Sequence, residues 1–242
     1  MKELEINKVH HMDCLDGMKL IKDKSIDMIL CDLPYGQTRN KWDSIIPLEP
    51  LWEQYKRIIK NNGAIVLFGQ DKFSAKLMMS NEKWHKYNLI WEKDRPSGFL
   101  NAKRMPLRSH EDILVFYNKP PTYNPQMVIG KPNHSMGKAV GKKQEVMNNY
   151  GDVVLNPNDN GDLKYPRSVL KFPRPHPPIF PTQKNTELCE WLIKTYTNEG
   201  ELILDNCMGS GTTALACINT NRNYIGFEKE EEYIKLINER IG

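Results

Sequence analysis

Two short, mostly apolar runs, each followed by an aspartate, constrain the fold of this chain most strongly. The first run, residues 26–31, precedes Asp32, and the second, residues 202–204, precedes Asp205. Such runs are typical of strands that are buried on both faces, as in parallel sheets. Because ligands of open α/β folds bind at the carboxyl ends of the strands, we expect Asp32 at that edge. Taken alone, the stretch after the first run favours a simple turn that contains Pro34 and ends at Gly36.

Strands and helices alternate through most of the chain. The apolar patterns predict strands at 9–13, 26–31, 64–68, 87–91, 113–117, 202–205 and 224–227, and helices at 50–60, 71–79, 213–219 and from 230. A further helix follows residue 185. Asp16 and Asn185 are predicted N-caps, and residues 61–63 are a predicted helix stop. This order predicts an α/β fold with a mostly parallel sheet and helices on both faces.

The alternation stops between residues 118 and 180. Thirteen of the 16 prolines lie between positions 96 and 181. Residues 93–184 contain 15 Lys or Arg against 7 Asp or Glu, whereas the rest of the chain contains 19 against 23. A passive linker is the alternative, but a basic segment of this kind favours a polyanion partner such as nucleic acid. We therefore predict an inserted, Pro-rich recognition segment at 118–180, between two halves of one domain at 1–117 and 181–242.

A glycine turn near the C-terminus has the features of a nucleoside site. Gly209, Ser210 and Gly211 follow a predicted strand, and Glu228 ends the next one. Glycines let the backbone pass close to a ligand, and the free N–H groups of a helix N-terminus face it. A carboxylate after the second strand can accept hydrogen bonds from both ribose hydroxyls. The spacing alone also fits a dinucleotide.

The choice of nucleoside depends on Asp205. Gly209, Gly211 and Ala214 match the relaxed fingerprint GxGxxA, so an NAD-dependent enzyme is an alternative. The carboxylate of Asp205 would repel a pyrophosphate, however, and it would attract a cationic ligand. S-adenosylmethionine, with its sulfonium and ammonium groups, is such a ligand.

Composition excludes several other classes of protein. The five cysteines contain no CxxC pair, which favours buried thiols in a reducing compartment over disulfides or a metal site. No apolar run is long enough to cross a bilayer, and the N-terminal residues lack the apolar core of a signal peptide. We therefore expect a soluble cytoplasmic protein without a metal site.

Three motifs together resemble those of the DNA amino-methyltransferases, specifically the beta group of N6-adenine and N4-cytosine enzymes. These motifs are CDLPYG at 31–36, FPTQK at 180–184 and DNCMGSGTT at 205–213. In that group a DPPY-type motif precedes the cofactor loop, with a target-recognition segment between them. The resemblance covers essentially the whole chain. It implies a Rossmann-like S-adenosylmethionine-dependent methyltransferase fold with a circularly permuted motif order, in which the N-terminus supplies the strand beside Glu228.

The resemblance also implies a reaction. A methyl group passes from S-adenosylmethionine to the N6 amine of an adenine that is flipped out of DNA. Asp32 and the carbonyl of Leu33 accept the N–H groups of that amine, Pro34 holds residue 33 extended, and Tyr35 stacks on the base. An acid in this motif is commoner among adenine enzymes. N4-cytosine methylation is the first alternative, followed by protein glutamine methylation and non-catalytic DNA binding.

The cofactor residues follow from the same resemblance. Asp13 would meet the adenine amine of the cofactor, and the segment around Thr182 would close on its methionine end. The implied cofactor-binding residues are Asp13, Cys14, Thr182, Lys184, Asp205, Gly209, Ser210, Gly211, Thr212, Thr213 and Glu228. Arg108, His110 and Glu111 match a further block of the family, which either frames the target pocket or takes part in the chemistry. Cys207 stands where the family has an aromatic residue. A homodimer and a cognate restriction enzyme remain open as partners beside DNA.

Overall fold

A computed structural model of the chain describes residues 4–36, 43–130, 143–144, 153–154, 162–179 and 182–242. These residues form two compact units, Met1–Asn124 with Ser168–Gly242, and Pro125–Arg167. Residue 181 and a large part of the predicted insertion at 118–180 lie outside the described residues. Within the part of the chain that the structure describes, no helix is both long and apolar enough to span a bilayer.

In the described residues, twelve strands and six α-helices are numbered in chain order. The strands are β1 (Lys8–His11), β2 (Ile26–Cys31), β3 (Ile59–Gly69), β4 (His85–Ser97), β5 (Arg108–Phe116), β6 (Val128–Ile129), β7 (Lys143–Gln144), β8 (Val153–Val154), β9 (Leu163–Lys164), β10 (Val169–Lys171), β11 (Leu202–Asp205) and β12 (Asn223–Glu228). The helices are α1 (Cys14–Lys19), α2 (Leu48–Ile58), α3 (Asp71–Ser80), α4 (Thr186–Tyr196), α5 (Thr212–Asn219) and α6 (Glu231–Ile241).

The first unit is built on one eight-stranded sheet in the order β1-β12-β11-β2-β3-β5-β4-β10. Only β5 runs antiparallel to its neighbours, β3 and β4. The predicted mostly parallel α/β sheet is therefore confirmed. The predicted permutation is confirmed as well, because β1 pairs in parallel with the C-terminal β12 and His11 lies opposite Glu228.

The apolar run of β2 is explained by the helices that pack on both faces of the sheet. Met28 and Leu30 face one apolar cluster, which also contains residues of α4, α5 and α6. Ile29 and Cys31 face the other, which also contains residues of α1, α2 and α3. Alternate side chains of a strand point to opposite faces, so a strand with helices on both sides must be apolar at consecutive positions.

Two local predictions are wrong. Asp16 was expected to cap α1, but Asp13 is the N-cap: its backbone is extended, and its carboxylate accepts the N–H of Leu15 at 2.9 Å. Asp16 lies within the first turn. The expected stop at 61–63 lies inside β3, because α2 ends at Ile58 and the chain continues directly as a strand. The predicted cap at Asn185 is confirmed, since its side chain accepts the N–H of Leu188 at 2.8 Å.

Candidate active site

The two aspartates that follow apolar runs meet at the carboxyl edge of the sheet. Strands β2 and β11 are parallel neighbours, with Leu204 opposite Ile29, so the loops after them emerge side by side. A cavity of about 520 Å³ opens at this edge. That volume lies within the usual range for small-molecule sites, which is about 300–1,000 Å³. The predicted catalytic and cofactor residues line this cavity except Gly211; of the three residues predicted to frame the target pocket or to take part in the chemistry, Arg108 and Glu111 line it and His110 does not.

The glycine turn lies between β11 and α5. Gly209 and Gly211 have φ values of 53° and 75°, in the left-handed region that favours glycine. Gly211 is the N-cap of α5, and a Cβ atom there would come within 3.1 Å of Ile237. Arg240 of α6 donates to the carbonyl oxygen of Ser210 at 2.7 Å. The turn is therefore held from behind by α6, with its other side toward the cavity.

Glu228 organises the end of β12 and the glycine turn together. One of its oxygens accepts the N–H of Gly209 at 2.8 Å. The other accepts the N–H groups of Lys229 and Glu230 at 2.8 and 2.9 Å. Burial raises the pKa of the Glu228 carboxyl, and these N–H groups oppose that rise. Glu228 is thus a fixed carboxylate that lines the cavity.

Asp205 is a buried carboxylate at the start of the glycine turn. Only 4% of it is exposed, and it accepts the N–H of Cys207 at 3.0 Å. Burial raises its pKa to about 6, although hydrogen bonds from Thr213 and Cys207 favour the charged form. Asp205 is therefore ionised at neutral pH, but it takes up a proton in mildly acidic solution.

Two thiols, those of Cys14 and Cys207, form part of the cavity wall. Cys14 follows the cap Asp13 in the β1–α1 loop, and both residues line the cavity. The thiol of Cys207 accepts a hydrogen bond from the side-chain amide of Asn206 at 3.4 Å, and it lies close enough to Cys14 and Cys31 to shift their pKa values. All three are free cysteines. The neighbouring Cys207 and burial both raise the pKa of Cys14, so its thiol is protonated at neutral pH.

Both oxygens of Asp32 have partners in the structure. The hydroxyl of Tyr35 donates to Oδ1 at 2.8 Å. The ammonium group of Lys184 forms an ion pair with Oδ2 and lies 3.3 Å from Oε2 of Glu111. Lys184 was predicted to bind the cofactor, and that role stays a prediction. Its position against Asp32 ties the segment before α4 to the end of β2.

Lys93 and Glu111 complete a buried charge cluster that the sequence did not reveal. Lys93 of β4 pairs with Oε1 of Glu111 at the start of β5, and their side chains are 6% and 14% exposed. We call Asp32, Lys184, Glu111 and Lys93 the charge cluster. It contains two carboxylates and two ammonium groups, and is therefore neutral when all four are ionised. Glu111 reaches it because β5 is antiparallel, so its first residues lie at the carboxyl edge.

The charge cluster shifts the pKa values of its members. For Lys184, burial opposes the charge, but Asp32 and Glu111 outweigh it and raise the pKa above the usual value. For Glu111, burial also opposes the charge, but Lys184 and Lys93 hold the pKa below its usual value. For Asp32, burial prevails and raises the pKa despite Lys184. Lys184 therefore stays protonated, and Asp32 is the member most ready to accept a proton.

Leu33 and Tyr35, which follow Asp32 in the CDLPYG motif, pack against different parts of the fold. The side chain of Leu33 is 3% exposed and packs in the apolar cluster with α1, α2 and α3. The ring of Tyr35 stacks on Phe73 with 4.7 Å between the ring centroids. Phe73 thus packs against the ring of Tyr35, and the ammonium group of Lys184 lies 5.9 Å from the centroid of the same ring.

The wall of the cavity has two chemically different parts. One part, formed by the loops after β1, β11 and β12, contributes the carboxylates of Asp13, Asp205 and Glu228. These suit a cationic nucleoside and would repel a pyrophosphate. The other part contains the charge cluster and Tyr35, and it offers a carboxylate beside an aromatic ring. The arrangement can hold a cationic nucleoside next to a second, planar ligand with N–H donors.

Comparison with known proteins gives a family match over most of the chain. The model of the N6/N4 methyltransferase family, described as DNA methylase, matches residues 26–239. The chain is 26% identical to the type II methyltransferase M1.MboII of Moraxella bovis, over 97% of this chain and 96% of that protein. It is also 26% identical to the DNA adenine methyltransferase YhdJ of Escherichia coli (strain K12), over 96% of this chain and 81% of that protein.

A solved structure with a similar fold is the complex of M1.HpyAVI with SAM, that is, S-adenosylmethionine. It superposes with a TM-score of 0.66 and is 26% identical, over 97% of this chain and 99% of that one. The likeness therefore extends over essentially the whole chain.

Proposed function

The chain belongs to the N6/N4 DNA methylase family, and from that premise we propose that it methylates the N6 amine of adenine in DNA. The observation that carries the proposal is the shared cavity. At one edge of the sheet, this cavity is lined both by Asp32 with its motif and by the carboxylates of Asp13, Asp205 and Glu228. The aspartate in the first motif and the similarity to a DNA adenine methyltransferase both favour adenine.

S-adenosylmethionine fits the acidic part of the cavity, and when bound there it supplies an electrophilic methyl group. Glu228 is the carboxylate for the ribose hydroxyls. Asp205 is the carboxylate for the positively charged methionine end, and Asp13 is the acceptor for the adenine amine. Gly209 of the glycine turn lines the cavity, whereas a side chain at Gly211 would meet Ile237 of α6 behind the turn. The residues present thus suit a cationic nucleoside.

Asp32 and the Leu33 carbonyl act on the target amine. An exocyclic amine is conjugated with its ring, so its lone pair is a poor nucleophile. Acceptors for both N–H groups draw the lone pair out of the ring plane and orient it. The side chain of Leu33 is buried, so we assign its part in the reaction to its backbone carbonyl. Tyr35 would stack on the extruded base, a contact worth roughly 1–3 kcal/mol.

The charge cluster sets the surroundings of Asp32. Tyr35 donates to one oxygen and Lys184 pairs with the other, so an incoming amine either uses a remaining lone pair of the carboxylate or displaces one of these donors. Oε2 of Glu111 is buried, accepts no hydrogen bond and lies 3.3 Å from the Lys184 ammonium group. It can therefore receive Lys184 when the target amine binds. The new N-methyl amine must lose a proton, and Asp32 is the carboxylate within reach.

N4-cytosine methylation is the second candidate, because the family includes N4 enzymes and cytosine presents a similar exocyclic amine. Nothing in the pairing of Asp32 with an amine favours one base by itself. The preference for adenine comes from the residue type in the motif and from the named relative.

Partition of a labelled methyl group tests the substrate class. The full chain is incubated with methyl-labelled S-adenosylmethionine, unmethylated genomic DNA and a mixture of proteins. We expect the label in the DNA fraction. Label in protein glutamine would contradict the proposal, and so would binding of S-adenosylmethionine without transfer to DNA.

We predict that S-adenosylmethionine binding weakens in acid because of Asp205. Its pKa is raised by burial to about 6, so the carboxylate is present above that pH and is lost as the pH falls through it. The dissociation constant should rise about tenfold between pH 7 and pH 5, since protonation of one group gives up to tenfold per unit. Calorimetric titration across this range measures the change. An Asp205→Asn variant should bind weakly with little pH dependence; an unchanged pH profile in that variant would contradict the role of Asp205.

A further inference from the structure

The turn between β4 and β5, residues 98–107, exposes large apolar side chains. Phe99 and Leu100 are 76% and 85% exposed, and Met105 is 48% exposed. The turn is nevertheless closed by its own hydrogen bonds: Asn101 donates to the carbonyl of Gly98 at 2.9 Å, and Met105 donates to that of Asn101 at 3.0 Å. We call residues 98–107 the β4–β5 turn. Its apolar tip is thus held away from both apolar clusters by an ordered backbone.

The segment that carries this tip is basic, and two of its arginines pair with acidic neighbours, Arg95 with Asp94 and Arg108 with Asp71. Residues 95–108 contain Arg95, Lys103, Arg104 and Arg108 and no acidic residue. Neither Lys103 nor Arg104 forms an ion pair with a residue that the structure describes. Two copies of such a turn would repel each other, whereas a polyanion would be attracted. Charge complementarity therefore favours DNA as the occupant over a second copy of the chain.

The β4–β5 turn stands at the mouth of the cavity. Ser97 and Arg108 pair with each other where the turn begins and ends, and both line the cavity. Arg108 also donates to Oε1 of Gln70 at 3.2 Å, which ties the base of the turn to the loop after β3. The exposed apolar tip therefore projects from the edge at which Asp32 lies.

We propose that Phe99 and Leu100 enter the DNA base stack at the target pair and fill the space left by the extruded base. Lys103 and Arg104 then contact the flanking phosphates. The inference rests on the proposed function, since it needs a base that leaves the stack to reach Asp32. Apolar side chains inserted between base steps are a known means of stabilising unstacked DNA. Opening a paired base costs a few kcal/mol, and least when the base is already unpaired.

The test compares two duplexes that differ only in whether the target base is paired. The recognition sequence is first mapped on methylated genomic DNA. One duplex then carries the normal pair, and the other carries the target base opposite an abasic site. For a Phe99→Ser, Leu100→Ser double variant, we expect kcat/KM on the paired duplex to fall about 10- to 100-fold. On the abasic duplex the change should stay within about threefold, because no base pair has to be opened.

Two control variants separate this effect from general loss of binding. Met79 is 73% exposed at the end of α3, and a Met79→Ser variant should match the wild type on both duplexes. A Lys103→Gln, Arg104→Gln variant should lose affinity equally for both duplexes and show a shallower salt dependence.

Other outcomes would overturn the proposal that Phe99 and Leu100 enter the base stack. If the Phe99→Ser, Leu100→Ser variant loses activity equally on both duplexes, or on neither, the tip does not open the base pair. A change in sedimentation without a difference between the duplexes would assign the tip to contacts between copies. If the wild type methylates neither duplex nor genomic DNA, the proposed function itself fails, which is a result distinct from these.

Discussion

Replacing Asp32 with alanine is expected to abolish methyl transfer and to leave S-adenosylmethionine binding intact. The substitution removes an acceptor for the target amine and the carboxylate within reach of its proton. Removal of one preorganised hydrogen-bonding group from a catalytic site typically costs a factor of about 100 to 1,000 in kcat. Because Asp32 combines two tasks, we expect about a thousandfold loss, equivalent to about 4 kcal/mol of barrier.

Graded variants at the same site make this prediction specific. A Tyr35→Phe variant keeps the ring but loses the 2.8 Å hydrogen bond to Asp32, so it should lose only about tenfold in kcat. Calorimetry should give dissociation constants for S-adenosylmethionine within about threefold of the wild type for both variants, because neither changes the carboxylates assigned to the cofactor. If Asp32→Ala keeps near-normal kcat, the role of Asp32 is wrong. If it loses cofactor binding instead, Asp32 belongs to the cofactor site.

Removing the Lys184 ammonium group should cost more stability than any surface substitution. In a Lys184→Met variant, two buried carboxylates face one remaining ammonium group. Loss of one partner from a buried ion pair costs about 3–5 kcal/mol, because the other charge is left uncompensated. A Glu111→Gln variant has the opposite charge imbalance, because two ammonium groups then face one carboxylate, that of Asp32. Urea denaturation of the full chain measures the free energy of unfolding for each.

The double variant tests whether the charge cluster acts as a unit. Lys184→Met combined with Glu111→Gln leaves one carboxylate, Asp32, and one ammonium group, Lys93, so charge balance is restored. We therefore expect the double variant to lose about 1–3 kcal/mol less than the sum of the two single losses. A Lys19→Met variant is the matched control, since Lys19 pairs with Asp16 on the surface. Additive losses in the double variant would contradict the charge cluster.

The sequence predicted the parts of the site that depend on local patterns. Asp32 and Asp205 each follow an apolar run that can be recognised in the sequence without knowing which strands pair. Parallel strands bring such ends to one edge of the sheet. Gly209 and Gly211 were identified because glycines let the backbone pass close to a ligand, and the structure adds that both have left-handed backbone. The order of the motifs also predicted that β1 would pair with β12, which the register confirms.

The charge cluster could not be predicted in this way. Lys93 and Glu111 meet because β4 and β5 pair antiparallel, with Trp91 opposite Glu111. That register depends on contacts between strands and not on the local apolar pattern. A lysine and a glutamate beside apolar strand residues are the signal that could have indicated it. The cap of α1 was assigned wrongly for a similar reason: Asp13 and Asp16 are both suitable residues, and only the backbone at Asp13 decides between them.

The identity of the methylated nucleoside tests the central claim most directly. Unmethylated DNA is incubated with S-adenosylmethionine and the wild-type chain, or with the Asp32→Ala variant as control, and is then digested to nucleosides for mass spectrometry. We predict N6-methyladenine with the wild type and none with the variant. N4-methylcytosine in its place would contradict the assignment of the base, and the absence of any methylated nucleoside would contradict the proposed function.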